Sequence, residues 1–208
     1  MIALVPTKRR LQGVKLEGQV LEGLDLSHMR GFGSKWEHMT FRSCNLDLSE
    51  MGNVTWHGCR FEKCSVQLAA MGPARYENVV FDCCDLKNTS FQGAWMSTAQ
   101  FLDCRMQYVN FLDAQLEDVR FESCNLRWAA LSVVSADRVS YDGSNLWGAR
   151  VTLDCHFFHS SFDDKWRRRF AGLLAWAWPE AEAEKDLLKK ISGQHFAAVE
   201  RLMTGGEK

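Results

Sequence analysis

A large apolar residue recurs at every fifth position of this chain from Leu11 to Val151, without an insertion or a deletion. Of the 29 positions in this series, only Gly31 and Ala136 lack a large side chain. The residue two before each is usually small or of medium size, as at Cys44. A period of five matches neither the helical period of 3.6 nor the strand period of 2, so the chain is predicted to consist of internal repeats, each with two inward positions.

A second period of twenty residues predicts the geometry of the repeat. If four pentads make one turn of a coil, residues twenty apart lie above one another at the strand spacing of about 4.8 Å. Gly, Asn or Asp often stands two residues after the recurring apolar residue, at the position where a square coil must turn a corner. The sequence therefore predicts an all-β solenoid, a quadrilateral β-helix of about seven coils. The residues with the twenty-residue period are aromatic at Phe41, Phe61, Phe81, Phe101, Phe121 and Tyr141, and thiol-bearing at Cys44, Cys64, Cys84, Cys104 and Cys124.

Four triplets relate this pattern to a known family: Cys44-Asn45-Leu46, Cys84-Asp85-Leu86, Cys124-Asn125-Leu126 and Ser144-Asn145-Leu146. They match the motif Ala-(Asp/Asn)-Leu-x-x with Cys or Ser in the place of Ala. On these residues the chain resembles the pentapeptide-repeat protein family over most of its length. The resemblance implies that the β-helix is right-handed. It says little about function, because one fold serves many functions.

The termini of the repeat are predicted from where the pattern stops. Residues 1–10 are expected to form an N-terminal cap, residues 11–155 the solenoid, and residues 156–208 a C-terminal α-helical cap. After Val151 the pentad register fails, His156 falls on a core position, and Phe162 falls off the grid. Apolar residues then follow at helical spacing, which predicts helices over 162–178 and 180–203. A solenoid needs such a cap because its last coil exposes core and backbone edge.

The helical segment carries more aromatic surface than one coil end needs, which favours self-association. In several members of the resembled family that act on topoisomerases, a C-terminal helical segment forms a homodimer, so the resemblance implies a homodimer here as well. The alternative is that these residues simply pack on the end of the last coil. The expected dimerisation residues are Trp166, Phe170, Leu173, Leu174, Trp176, Leu187, Leu188 and Ile191.

Acidic residues occupy two outward columns of the predicted coil. Residues 17–23 and their equivalents hold twelve acids against five bases, a net charge of −7, although the whole chain carries only −1. Such a face could compete for the basic groove of a DNA-binding protein. The alternative is that acids near the turns keep a β-rod soluble. The expected partner-binding acids are Glu17, Glu22, Glu37, Glu62, Glu77, Asp82, Glu117, Glu122, Asp137 and Asp142.

A further outward column is apolar at Leu48, Leu68, Tyr108 and Trp128. Exposed apolar residues in line usually mark a contact, so either the C-terminal helices or a partner protein is expected to cover them. The basic run at 165–169 is interpreted as a solvated helix face, with contact to a polyanion as the alternative.

Neither the cysteines nor the histidines form a catalytic or metal-binding pattern. Cysteines stacked about 4.8 Å apart are too distant for disulfides and cannot surround a metal, so they are expected to pack as small apolar groups. Cys155, His156 and His159 lack a fourth ligand.

With no phosphate loop and no nucleophile motif, the chain is expected to be non-enzymatic and without a cofactor. A start without a signal peptide and the lack of an apolar span favour a cytoplasmic protein with no membrane contact.

Two functional hypotheses remain, and they differ in the partner. The first follows from the resemblance, whose Qnr and MfpA members imply a dimeric acidic rod. Such a rod binds DNA gyrase or topoisomerase IV in place of DNA and protects it from quinolones or toxins. The second is a general interaction scaffold, a secreted effector or a regulatory adaptor, that docks a protein on the apolar column. Neither hypothesis includes direct binding of nucleic acid.

Overall fold

The computed structural model describes residues 10–132, 134–151, 156–158 and 160–166. The chain forms a parallel β-solenoid of short strands joined by tight turns, with eight strands in its longest sheet and hence about seven turns. The strands are β1 (Lys15–Glu17), β2 (Val20–Glu22), β3 (Lys35–Glu37), β4 (Thr40–Arg42), β5 (Thr55–His57), β6 (Arg60–Glu62), β7 (Arg75–Glu77), β8 (Val80–Asp82), β9 (Trp95–Ser97), β10 (Gln100–Leu102), β11 (Gln115–Glu117), β12 (Arg120–Glu122), β13 (Ala130–Leu131), β14 (Ser135–Asp137), β15 (Arg150–Val151) and β16 (His156–Phe158).

Paired residues of neighbouring strands lie twenty positions apart in the sequence, as the sequence predicted. Lys15 pairs with Lys35 and Thr40 with Arg60, and the same step relates every neighbouring pair up to β12 in one sheet and β14 in the other. The first face carries β1, β3, β5, β7, β9, β11, β14 and β16, and the second face carries β2, β4, β6, β8, β10 and β12. The third face is held by isolated bridges such as Asp25 to Asn45, and the fourth by bridges such as Arg30 to Glu50 and by the β13–β15 pair.

The core consists of the two inward positions of each pentad. From Met29 to Leu146 every residue at these positions is buried. Phe61 stacks on Phe81 with ring centroids 4.6 Å apart, and Phe81 stacks on Phe101 at 4.9 Å, with planes within 7° of parallel. Gly31, which interrupts the sequence series, leaves space that the Met51 side chain fills. A ladder of stacked aromatic rings therefore runs along the rod, as the twenty-residue period predicts.

The end of the repeat differs from the sequence prediction. Ser135 pairs with His156 and Ser140 with Ser161, which is a step of twenty-one residues instead of twenty. Phe157, and not His156, lies opposite the buried Ala136. One extra residue between Val151 and His156 shifts the register, and the coil continues. A fixed five-residue grid cannot distinguish an inserted residue from the end of the solenoid, because both interrupt the pattern.

Phe162 continues the core instead of opening a helix. Its ring stacks on Tyr141 with centroids 4.7 Å apart, so it extends the aromatic ladder by one level. Residues 164–166 are helical, two residues later than predicted. The remainder of the predicted C-terminal helices and the residues of the predicted N-terminal cap before Arg10 lie outside the described residues. No helix in the described part of the chain is long and apolar enough to cross a lipid bilayer.

Candidate functional site

The predicted apolar column lies at one corner of the rod, between the third and fourth faces. Its side chains point outward, with exposed fractions between 44% for Leu48 and 57% for Leu68 and Tyr108. The four apolar residues of this column, named here the corner stripe, have a left-handed backbone: Leu48 (φ 58°), Leu68 (φ 57°), Tyr108 (φ 60°) and Trp128 (φ 62°). The sequence thus located both the residues and their exposure correctly.

The corner stripe is not required by the backbone it occupies. Other corners carry Gly, Asn, Asp and Ser at positive φ, and also larger residues such as Lys63, Thr98 and Arg138. Among the described residues, Leu, Tyr and Trp adopt positive φ only at this corner. Bulky side chains are unfavourable there, while Asn is tolerated. Asn88 and Gly148 occupy the same column with φ of 56° and 72°. The fold therefore accepts a polar or small residue at this corner, and the apolar residues need another explanation.

Trp128 lies over Gly148 in the next coil. A methyl group on Gly148 would come within 2.6 Å of the Cδ2 and Cζ3 atoms of the Trp128 ring, so only glycine allows the indole to rest there. The neighbouring Trp147, which sequence reasoning did not assign to the stripe, is 51% exposed. The signal in the sequence that could have identified Trp147 is its position directly before the corner residue Gly148.

The fourth face beside the corner stripe carries little charge. Over four coils its outward positions hold no acid or base, and we name this surface the neutral face: Ala70, Gly72, Ser90, Gln92, Asn110, Leu112, Ala130 and Ser132. Towards the C-terminal end of the rod, Arg127 and Arg150 flank Trp128. Neither arginine has an ion pair within the described part of the chain. The corner therefore combines an apolar line, an uncharged side and two free positive charges.

The predicted acidic columns lie at the ends of the first-face and second-face strands, but most of their carboxylates are paired. Lys15 Nζ lies 2.8 Å from Glu37 and 3.3 Å from Glu17. The other pairs join Arg42 to Glu22 and Glu62, Arg60 to Glu62 and Asp82, Arg75 and His57 to Glu77, and Arg138 to Glu117, Asp118 and Asp137. Eight of the ten predicted acids thus carry a partner.

These pairs correct the predicted charge of the two faces. The count over residues 17–23 and their equivalents omitted Lys15, Lys35 and Arg75, which lie two residues before an acid on the same strand. Residues two apart on a strand point to the same side, so these bases share the surface with the acids. With three more bases, the net charge of the first and second faces is −4 and not −7.

Hydrogen bonding within these pairs lowers the pKa of three of the carboxylates. Hydrogen bonds from Arg42 and Arg60 lower the pKa of Glu62, and a hydrogen bond from Lys15 lowers the pKa of Glu37. Arg138 likewise lowers the pKa of Asp118, and its own pKa is raised by the hydrogen bonds to Asp118 and Glu117. The basic partners therefore cancel part of the negative potential of the two columns at the surface.

Two of the predicted acids, Glu122 and Asp142, have no ion pair among the residues that the structure describes, and Asp103 of the preceding coil also has none. Asp142 borders an open groove of about 700 Å³ on the second face. The groove is polar, and Arg120 and Arg138 line it together with Thr98, Gln100, Asp118 and Ser140. The residual negative charge of the rod thus concentrates on its C-terminal half.

Trp166, an expected dimerisation residue, is buried within its own chain. Its exposed fraction is 5%, and its Nε1 donates a hydrogen bond of 2.9 Å to the carbonyl oxygen of Ser144. Its indole packs on the last coil, which is the alternative that the sequence left open, and it is not available to a second copy. The other expected dimerisation residues, from Phe170 to Ile191, lie outside the described residues.

The stacked cysteines are buried thiols. Cys64 Sγ donates to the carbonyl oxygen of Phe41 at 3.3 Å, and Cys104 Sγ donates to that of Phe81 at 3.4 Å. Burial raises the pKa of Cys59 to about 11. The Cys59 thiol is therefore neutral near pH 7. The stacked cysteines are buried in the apolar core, where they pack as small groups. In the described part of the chain no three His, Cys, Asp or Glu side chains are grouped so as to hold a metal ion. Cys155 and His159 lie outside the described residues.

A comparison with protein families agrees with this repeat architecture. Residues 74–151 match the family model described as pentapeptide repeat region. None of the curated proteins compared with the chain matches it. Among solved structures, the chain is similar to a trypsin-treated form of QnrB1, a plasmid-mediated fluoroquinolone resistance protein. The two are 22% identical over 70% of this chain and 71% of that chain, with a TM-score of 0.41.

Two further solved structures are of pentapeptide repeat proteins. One is a pentapeptide repeat protein from the thylakoid lumen of Arabidopsis thaliana, 21% identical over 45% of this chain and 72% of that chain, with a TM-score of 0.39. The other is HetL of the cyanobacterium Nostoc, a pentapeptide repeat protein involved in heterocyst differentiation regulation. It is 16% identical over 75% of this chain and 90% of that chain, with a TM-score of 0.23. At these identities and TM-scores the likenesses carry no argument.

Proposed function

We propose that this chain, whose solenoid belongs to the pentapeptide-repeat family, is a non-enzymatic interaction rod that docks a partner protein along the corner stripe. The partner contacts the apolar side chains at the corner and rests on the neutral face beside them. Packed side chains fill the inward positions of the described coils, so the outer surface is the part of the solenoid that can contact a partner.

One observation carries this proposal: exposed Leu, Tyr and Trp side chains stand at positive φ in a column where Asn88 and Gly148 also occur. Residues in unfavourable backbone conformations cluster at binding and active sites. Aromatic side chains in an exposed line are the residues that most often dominate the free energy of binding at protein interfaces. The four residues span four coils, about 19 Å, which suits one helix or strand of a partner.

Asparagine substitutions at the corner stripe test this function. We expect Tyr108→Asn with Trp128→Asn to weaken partner binding by about 2 kcal/mol or more, because each removes a large apolar contact. The fold is expected to remain intact, or to gain a few tenths of a kcal/mol, because Asn suits positive φ. Capture of partners by chemical crosslinking, combined with thermal denaturation of the same variants, measures both effects.

The matched control is Phe32→Asn, since Phe32 is also aromatic and 55% exposed but lies on the fourth face near the other end of the rod. A partner captured by the wild-type chain and by this control, but lost from the stripe variant, supports the proposal. Equal capture by all three chains rejects it.

The second candidate is binding to DNA gyrase or topoisomerase IV in place of DNA. Two observations favour it. The acidic columns run along two adjacent faces whose net charge is −4. In addition, the carboxylates of Asp103, Glu122 and Asp142 have no ion pair among the described residues. A local negative surface steers basic DNA-binding grooves towards it. The ion pairs along the columns reduce this potential, which is why the corner stripe ranks first.

A supercoiling assay tests the second candidate. We expect the chain to inhibit gyrase at micromolar concentration or to protect it from ciprofloxacin, and Glu122→Gln with Asp142→Asn to reduce this effect while leaving the fold unchanged. Asp113→Asn is the control, because Asp113 lies outside the two columns. No inhibition and no protection by the wild-type chain would remove this candidate without affecting the first.

A further inference from the structure

The column that contains the corner stripe is complementary to its own reverse. Along this corner the outward residues of five successive coils are Leu48, Leu68, Asn88, Tyr108 and Trp128. We infer that the partner on the corner stripe is a second copy of this chain, bound in the antiparallel direction about a two-fold axis at Asn88. The inference rests on the proposed function, because it names the partner that docks along the corner stripe.

The two-fold axis places an aliphatic side chain opposite an aromatic one at each apolar level. Leu48 of one chain meets Trp128 of the second copy, and Leu68 meets Tyr108; their exposed fractions lie between 44% and 57%. An interface with two-fold symmetry repeats each contact in the reverse sense, so both contacts form twice. In a parallel dimer leucine would face leucine and tryptophan would face tryptophan, and the aromatic pairs would hold the leucines apart. The antiparallel dimer keeps the two rods evenly spaced.

Asn88 interrupts the apolar residues at the centre of the column, where the axis makes it face its own copy. Its side chain is exposed, and its amide has both donors and an acceptor, so two such amides can exchange hydrogen bonds across the axis. A shift by one coil would set Asn88 against Tyr108 or Leu68 and move Leu48 or Trp128 off the stripe. A single polar residue within an apolar contact fixes the register in this way.

The charged column beside the stripe selects the same orientation. Asp47 directly precedes Leu48, and Arg127 directly precedes Trp128, on outward positions of the third face. Neither Asp47 nor Arg127 has an ion pair within the described residues, and in one chain they are four coils, about 19 Å, apart. In the antiparallel dimer Asp47 of each chain faces Arg127 of the other. A parallel dimer would bring like charges together, which opposes association.

The other charges near the contact are paired within each chain or face a neutral group. Lys87, which lies beside Asn88 at the axis, has its Nζ 3.3 Å from the carboxylate of Asp85. Arg30 lies 3.1 Å from Glu50, and the axis brings this pair towards Arg150 of the second copy. The neutral face meets its own copy. Among the described residues, no two unpaired charges of the same sign therefore face each other across the axis.

Sedimentation of the full chain over a range of concentrations tests the charge argument. A corner contact is smaller than a standard interface, so we expect a dissociation constant on the order of 10 µM. Arg127→Glu should weaken self-association about ten-fold, because two ion pairs become repulsive. Asp47→Lys with Arg127→Glu should restore it to within about two-fold, because opposite charges face each other again. Arg120→Glu is the control, since Arg120 is also exposed but lies on the second face, and it should change nothing.

A milder variant separates charge from folding at Asp47. Its Oδ1 accepts hydrogen bonds of 2.7 Å from Ser65 Oγ and from the Gln67 backbone nitrogen. Asp47→Asn keeps an oxygen for these bonds and should weaken self-association about three-fold, with an unchanged melting temperature. Self-association that is unaffected by Arg127→Glu and Asp47→Asn, or a folded double variant that does not recover, would overturn the antiparallel contact.

Thiol crosslinking with a short bismaleimide locates the axis. In a chain that carries Cys83→Ser and Cys155→Ser, we expect Asn88→Cys to give a covalent dimer. Leu48→Cys and Trp128→Cys should each give none alone but a covalent dimer when mixed. The matched control is Asn78→Cys, because Asn78 is also exposed and at positive φ but lies at the corner between the first and second faces. A covalent dimer from Leu48→Cys alone, or equal yields from Asn88→Cys and Asn78→Cys, would contradict the inferred dimer.

The failure of this inference can be distinguished from the failure of the proposed function. If the chain remains a monomer, or dimerises without a crosslink from Asn88→Cys, while Tyr108→Asn with Trp128→Asn still loses capture of another protein, the inference fails and the proposed function stands. If that stripe variant changes neither self-association nor the capture of other proteins, both fail.

Discussion

Replacing Phe81 by alanine is expected to lower the free energy of unfolding by about 3 to 5 kcal/mol, the range for truncating a fully buried aromatic residue. Phe81 is completely buried, and its ring stacks between Phe61 and Phe101. Backbone hydrogen bonds between strands hold neighbouring coils about 4.8 Å apart, so the surrounding residues cannot collapse into the space that the ring leaves. Urea unfolding followed by circular dichroism measures the loss.

Phe32→Ala is the control for this prediction, because the same side chain is removed from an exposed position. We expect its free energy of unfolding to change by no more than about 0.5 kcal/mol. Loss of the ladder in the middle of the rod separates two sets of coils that each contact only their neighbours, so the transition should also broaden. Equal destabilisation by the two variants would show that the ladder is not the main source of stability.

Gly72→Ala is expected to destabilise the chain by about 3 kcal/mol, the upper part of the range for overpacking. A methyl group at this position would overlap the backbone carbonyl oxygen of Gln92 in the next coil and lie 2.9 Å from the Gln92 nitrogen. These are backbone atoms held by the rungs of the sheet, so relief of the overlap requires the two coils to move apart. Thermal denaturation and amide hydrogen exchange of the coil around Gln92 measure the effect.

Gly31→Ala provides the matched comparison. Its methyl group would lie 2.6 Å from Met51 Sδ, the end of a flexible side chain. A methionine adjusts its rotamer at small cost, so we expect a loss of about 1 kcal/mol. A smaller loss from Gly72→Ala than from Gly31→Ala would mean that the coils separate more easily than the backbone contact implies.

The two candidate surfaces illustrate how far the sequence predicts a site in a repeat protein. The position and the exposure of the corner stripe were predicted correctly, because each of its residues points outward independently of its neighbours and a step of twenty places Leu68 and Tyr108 in one line. The charge of the acidic columns was overestimated because it depends on pairs. Lys15 lies within reach of Glu37 of the next coil, and Arg138 contacts carboxylates on two levels. Such pairing depends on side-chain reach, which column position alone does not give.

The sequence by itself determined the inward and outward positions, the four-sided coil and the ladders of aromatic and thiol side chains, because each of these depends only on a strict period and on the burial of apolar groups. The tertiary structure alone decided three other features. It showed that one extra residue shifts the register after Val151 instead of ending the solenoid, and that Trp166 is buried on the last coil. It also showed that the acids are largely paired. In each case the outcome depends on contacts between coils, and a one-dimensional pattern does not contain the distances that decide those contacts.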